Sequence, residues 1–299
     1  MTKQSSVSLC LFMQQVSYYE EGIYQIIEDM VRFKPKTKEE LQTALTRYFD
    51  PRYTHYSLTT HGSPEIWNTS QITDMSYLFE EATHHVFNPS ELDLNLNGWD
   101  VSNVTNMEGM FAHCIKFNQP LNNWDVSQVT NMKLMFWHCN NFNQNINDWD
   151  VSSVTIMDSM FWYCYNFNKP LENWDVSQVT TMQYLFAYCN NFDQNINSWN
   201  VKQVVDMCLM FFKCSEYNQS MEEWEVSSVT DMSSMFQQCY KFDQTLSRWD
   251  VRKVTDMDYM FENCTSLTYD LDKSYYNSDA SMTDMFLGCD SFNQDMMVL

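Results

Sequence analysis

Glycine and proline are scarce in this chain, 5 and 6 residues out of 299, which speaks against a fold made mainly of loops and turns. Cations are scarce too, with 17 Lys and Arg against 39 Asp and Glu and a net charge of −22. A nucleic-acid backbone is bound by clustered cations, so this balance excludes a nucleic-acid partner. No apolar run approaches the length of a membrane span. The N-terminus has one early cation, Lys3, and its apolar run from Val7 to Met13 is interrupted by Ser8 and Cys10, a poor match to a secretion signal. A soluble protein of a reducing compartment is the expectation.

What the chain does have is repetition. Trp recurs at Trp99, Trp124, Trp149, Trp174, Trp199, Trp224 and Trp249, a period of 25 residues with no spacer. A longer first copy begins at Trp67 and a last one at Ser274, giving nine units in tandem. Cysteine follows the same period from Cys114 to Cys289, leaving only Cys10 and Cys208 outside the series. One equivalent Cys per unit predicts a buried reduced thiol in a stack and not a disulfide framework. The 22 methionines are explained likewise, because Met107 and its equivalents fill one position of the unit.

With Trp as position 1, apolar residues at positions 23, 1 and 3, such as Leu121, Trp124 and Val126, have the spacing of a leucine-rich-repeat strand. Positions 6, 9, 12, 13 and 16 (Val129, Met132, Met135, Phe136 and Cys139) step by three and four, which predicts one stripe of a short helix. The predicted fold class is therefore α/β, a leucine-rich-repeat-like solenoid with a short strand plus a short helix in each 25-residue unit over residues 67–299. Residues 1–66 lack the repeat and read as an α-helical N-terminal cap region. One helix starts at Ser17 with Glu20, and a clearer one at Thr37 with Glu40, stopping near Asp50 and Pro51.

The repeat and the preceding FKPKTKEELQTAL at residues 33–45 resemble a 25-residue-repeat family of unknown function found in mycoplasma surface lipoproteins and giant-virus proteins. That family is similar to bacterial surface-antigen leucine-rich repeats of BspA type. The resemblance implies a binding or adhesive scaffold and brings no catalytic residues. Without a lipoprotein signal the viral or intracellular branch fits better, so a cytoplasmic or virion-associated protein is expected.

Two surfaces are candidates for binding. Position 2 forms an acidic strip of Asp100, Asp125, Asp150, Asp175, Glu225 and Asp250, interrupted by Asn200. The strip suits a basic protein partner; equally, each Asp can hydrogen-bond locally beside the Ser at position 4. Positions 14 and 15 carry Trp137, Trp162, Tyr163, Tyr188 and Phe212, an aromatic patch suited to a partner or to self-association, or else groove filling between neighbouring units. His113 and His138 precede buried cysteines and do not form a metal pair. Residues 1–66 hold no nucleophile, base and orienter at usable spacing, so no catalytic residue, metal or cofactor is assigned and an enzyme is not expected. The Asn-Gln pairs that follow position 19, as in Asn143 and Gln144, predict amides stacked on one another and on the turn backbone.

Overall fold

Helix α1, Lys38–Phe49, begins where a hydroxyl can satisfy an amide that has no intrahelical partner. Thr37 Oγ1 accepts from the Glu40 amide at 3.2 Å, and Glu40 Oε2 accepts from the Lys36 amide at 2.7 Å. The helix closes at Asp50, ahead of Pro51, and buries Leu41, Ala44 and Leu45. Helix α2 spans Thr54–Thr60, and a single turn, α3, spans Leu78–Glu81 in the first unit. The computed structural model describes residues 32–81, 88–269 and 277–292. The helix expected from Ser17 lies outside them.

From the first unit onward the chain is a stack of turn-built coils, each lying on the next. Parallel single-residue bridges join position 8 of successive units from Asp74 and Asn106 through to Asp256 and Ser281. Beside them, Thr130, Thr155 and Thr255 send both the amide and Oγ1 to the carbonyl of the threonine 25 residues earlier. Among the described residues after Glu91 there is neither helix nor strand.

That finding overturns the α/β leucine-rich-repeat-like solenoid, and the hydrogen bonds give the physical reason. The predicted strand fails because positions 23 to 1 form a turn: the Trp124 amide donates back to the Leu121 carbonyl at 3.2 Å. The predicted helix fails because alternate amides leave the coil. In the Trp124 unit the amides of Met132, Leu134, Phe136 and His138 donate to Ile156, Asp158, Met160 and Trp162 of the next coil at 2.8–2.9 Å. The amides that alternate with them, Met135, Trp137 and Cys139, bond within the coil, three residues back. Such alternation requires left-handed backbone at positions 11 and 15, as at Leu134 (φ 58°) and His138 (φ 60°). Each such non-glycine residue costs about 1 kcal/mol, so the lateral bonds must offset it. Scarcity of glycine therefore did not exclude a fold of turns. Leu, Ser and Tyr occupy position 11 in most units, and Gly109 fills it where the Tyr77 ring stands against the site of a Cβ.

The core is a set of columns, one residue per coil. Phe at position 13 stacks on its equivalents at 5.5–5.7 Å from Phe79 to Phe286. Met at position 9 is fully buried from Met75 to Met257, so it fills core volume as expected. The polar atoms of the buried Trp and Cys are accounted for by one device. From Trp124 to Trp249 each position-1 indole Nε1 donates to the position-23 carbonyl 28 residues earlier, as Trp174 does to Ile146 at 3.0 Å, while Trp99 and Trp67 donate to the Pro64 and His61 carbonyls. From Cys139 to Cys289 each thiol of the 25-residue series donates to the position-13 carbonyl 28 residues earlier, as Cys164 does to Phe136 at 3.0 Å, while the Cys114 thiol lies 3.8 Å from the Ala112 carbonyl. All nine described cysteines are unbonded to one another, and burial pushes up the thiols of the eight from Cys139 to Cys289, Cys289 itself to about 11. Stacked amides complete the exterior: the Asn143 amide donates to Asn118 Oδ1 at 2.9 Å, and Gln144 Nε2 reaches the same oxygen.

Candidate interaction surfaces

The acidic strip is built by a turn that repeats in every unit. Position 1 is drawn inward by its indole and position 3 by its Val, which forces position 2 outward. Asp100, Asp125, Asp150, Asp175 and Glu225 are exposed, and Asp250 is partly buried. Each Asp also does local work. Oδ1 of Asp100, Asp125, Asp150 and Asp175 accepts from the amide two residues on, at 3.0–3.1 Å. The hydroxyl and amide of Ser127 hold the Asp125 carboxyl below the usual carboxylate range, and Arg252 does the same for Asp250. No bond within the described residues reaches Oδ2 of those first four aspartates, so each charge is anchored through one oxygen only.

The strip has one interruption. Asn200 and Lys202 replace Asp and Ser there, and Lys202 Nζ lies 2.9 Å from Glu225. An open cavity of about 710 Å³ lies at the same place, lined by Glu172, Asn195, Asn197, Lys202, Glu223 and Glu225.

The five aromatic candidates are brought together, though as a ladder and not as a bare apolar face. Trp137 stacks on Trp162 at 5.6 Å, Trp162 on Tyr163 at 5.2 Å, and Tyr163 on Tyr188 at 4.2 Å. Tyr188 meets Phe212 edge-on at 5.2 Å, and Lys213 Nζ lies 4.7 Å from the Tyr188 ring. All five rings are half-buried. The Nε1 atoms of Trp137 and Trp162 are buried without a hydrogen-bond partner. His113 and His138 extend the ladder at a ring separation of 5.3 Å, and burial together with His113 lowers the His138 pKa.

One group was not anticipated from the sequence. Asp206, Cys208 and Asp231 bring three ligand atoms within 4.8 Å of one another, a set that could hold a divalent cation. Burial, followed by Asp206 and Asp231, pushes the Cys208 thiol far up, which keeps it protonated and opposes ligation until a cation arrives. The signal was present in the sequence: Cys208 is the only cysteine after residue 10 that breaks the 25-residue series.

Among the described residues no helix is long and apolar enough to cross a membrane. A family model described as Mycoplasma protein of unknown function, DUF285, matches residues 53–162, 84–197 and 180–298. Neither a curated protein nor a solved structure matches the chain.

Proposed function

For a chain that belongs to this Mycoplasma family of unknown function, we propose work as a non-enzymatic scaffold whose acidic strip binds a basic protein surface. One observation carries the proposal: a row of exposed carboxylates on successive coils, anchored through Oδ1 and unbonded at Oδ2, in a chain of net charge −22. Like charges at adjacent-coil spacing repel, and a cationic partner relieves that repulsion. The residues that recur in every unit are consumed by packing and hydrogen bonding, which supports a scaffold over an enzyme. Docking or self-association through the aromatic ladder is the second reading; its support is the half-exposure of Tyr163 and Tyr188.

Replacing Asp100, Asp125, Asp150 and Asp175 together by Asn separates charge from structure. Asn keeps an oxygen for the amide two residues on, so melting should stay nearly unchanged. Binding to a labelled oligolysine should weaken at least ~10-fold and lose most of its salt dependence. Unchanged affinity in the quadruple variant would refute the strip as the contact surface. Loss of affinity on Tyr163→Ala with Tyr188→Ala instead would favour the ladder.

A further inference from the structure

From the Trp99 unit to the Trp249 unit, the amides at positions 9, 11, 13 and 15 donate to carbonyls of the following coil, with Met157 the one member of the set that does not. In the last described coil these positions are Met282, Asp284, Phe286 and Gly288, and none of the four amides has an acceptor among the described residues. The backbone conformation is nonetheless kept, with φ of 50° at Asp284 and 74° at Gly288, so the four N–H groups retain the common outward direction. One acceptor is only partly used, since the Phe286 carbonyl takes the Cys289 amide at 3.2 Å and nothing else among the described residues. The carbonyls of Phe111, Phe136, Phe161, Phe186, Phe211, Phe236 and Phe261 each take a thiol from a later coil, and that of Phe286 takes none.

At the opposite end the chain supplies its own neighbour. Between coils, a position-10 side chain pairs with position 8 of the next unit, as Glu108 does with Asn131 at 3.1 Å. Lys38 of α1 takes the corresponding place beside the first coil, donating to Ser76 Oγ at 2.9 Å and lying 4.0 Å from Asp74. A second copy of this chain therefore cannot offer its first coil without displacing α1.

A row of unpaired backbone donors is a template for pairing with another chain. An anion could also bridge such amides, but Asp284 and Asp290 belong to the same coil and repel one. We propose that this edge docks a foreign polypeptide carrying a unit of the same kind. Alternate backbone carbonyls of that unit take the four amides, and its cysteine thiol takes the Phe286 carbonyl. The inference uses none of the acidic strip, so the two stand or fall separately.

Hydrogen exchange on the intact chain tests the edge. Amides 282, 284, 286 and 288 should exchange near unprotected rates, whereas 257, 259, 261 and 263 are protected; equal protection at both sets overturns the proposal. A labelled peptide of residues 149–198, two complete units, should then bind saturably and slow exchange at the four edge amides at least ~10-fold. Gly288→Pro removes one donor and, because proline cannot adopt the φ of 74° found there, also breaks the left-handed turn at the end of the row, so it should weaken that binding by more than the roughly fivefold of one hydrogen bond. The near-ultraviolet signal of the Trp column, which lies wholly in earlier coils, checks that the variant is folded. Binding that Gly288→Pro leaves unchanged, or a chain that dimerises through this edge with α1 in place, overturns the choice of partner.

Discussion

Trp174→Phe isolates the device that fastens each coil to the one before it. Trp174 is 3% exposed, stacks on Trp199 at 6.2 Å with planes 4° apart, and donates Nε1 to the Ile146 carbonyl at 3.0 Å. Phenylalanine keeps an aromatic ring in the column but loses the indole N–H and part of the ring. The Ile146 carbonyl still accepts from the Trp149 amide at 3.1 Å, so the loss is that of a bond and not of an orphaned acceptor. That puts the hydrogen-bond cost near 1 kcal/mol. The missing ring atoms remove about 40 Å² of buried apolar surface, near another 1 kcal/mol at ~25 cal/mol per Å². The two sum to about 2 kcal/mol, before any cavity that fails to close. Urea unfolding followed by far-ultraviolet dichroism measures it, with the slope compared as well as the midpoint, because stacked repeats can lose cooperativity at a weakened interface. A loss under ~0.5 kcal/mol, the range of ordinary surface substitutions, would refute the claim that the indole bonds hold the coils together.

Three further outcomes are expected. Thiol titration of the native protein should find the eight cysteines from Cys114 to Cys289 at 25-residue spacing slow to react and all free after denaturation without reductant; four or more disulfides would contradict the stacked-thiol column. Tyr217→Phe should be neutral or stabilise by up to about 2 kcal/mol, because its hydroxyl is buried without a partner between Phe192 and Phe242 of the same column; a clear loss of stability would show that the hydroxyl is bonded. His138 is held below the ordinary imidazole value of 6.5 by burial and by His113, so the unfolded chain binds its proton more readily. Stability should therefore fall as pH drops through 6.5 and level off below the folded pKa, and His138→Gln should flatten that part of the profile in urea titrations; an unaltered slope would count against the shift.

Much of the packing was legible in one unit. Positions 1, 3, 6, 9, 12, 13, 16 and 23 were assigned to the interior by their recurrence, and Leu121 through Cys139 show each of those side chains buried. The reduced thiols and the stacked Asn-Gln amides were legible for the same reason: a residue repeated every 25 positions must serve a contact that every coil makes. The candidate surfaces were legible only in outline. The outward Asp row follows from alternation about Trp and Val, but its Oδ1 bond to the amide two residues on does not. The patch at Trp137 and Trp162 became a ladder because neighbouring coils bring like side chains within stacking distance. Cys208 was read as an exception without the carboxylates of Asp206 and Asp231, because Asp231 comes from the following coil.

The sequence by itself determined which atoms face inward and that the units stack, since a period of 25 over nine copies leaves no other way to bury so many Trp, Phe, Met and Cys side chains. It did not determine the backbone. Steps of three and four residues put side chains on one side of a helix and equally on one side of a run of three-residue turns, and no run of glycines marks the left-handed positions at Leu134 or Ser159. The choice between them rests on where alternate amides find acceptors. Those acceptors, such as Ile156 for Met132 and Met160 for Phe136, belong to the next coil and exist only once the coils are in contact.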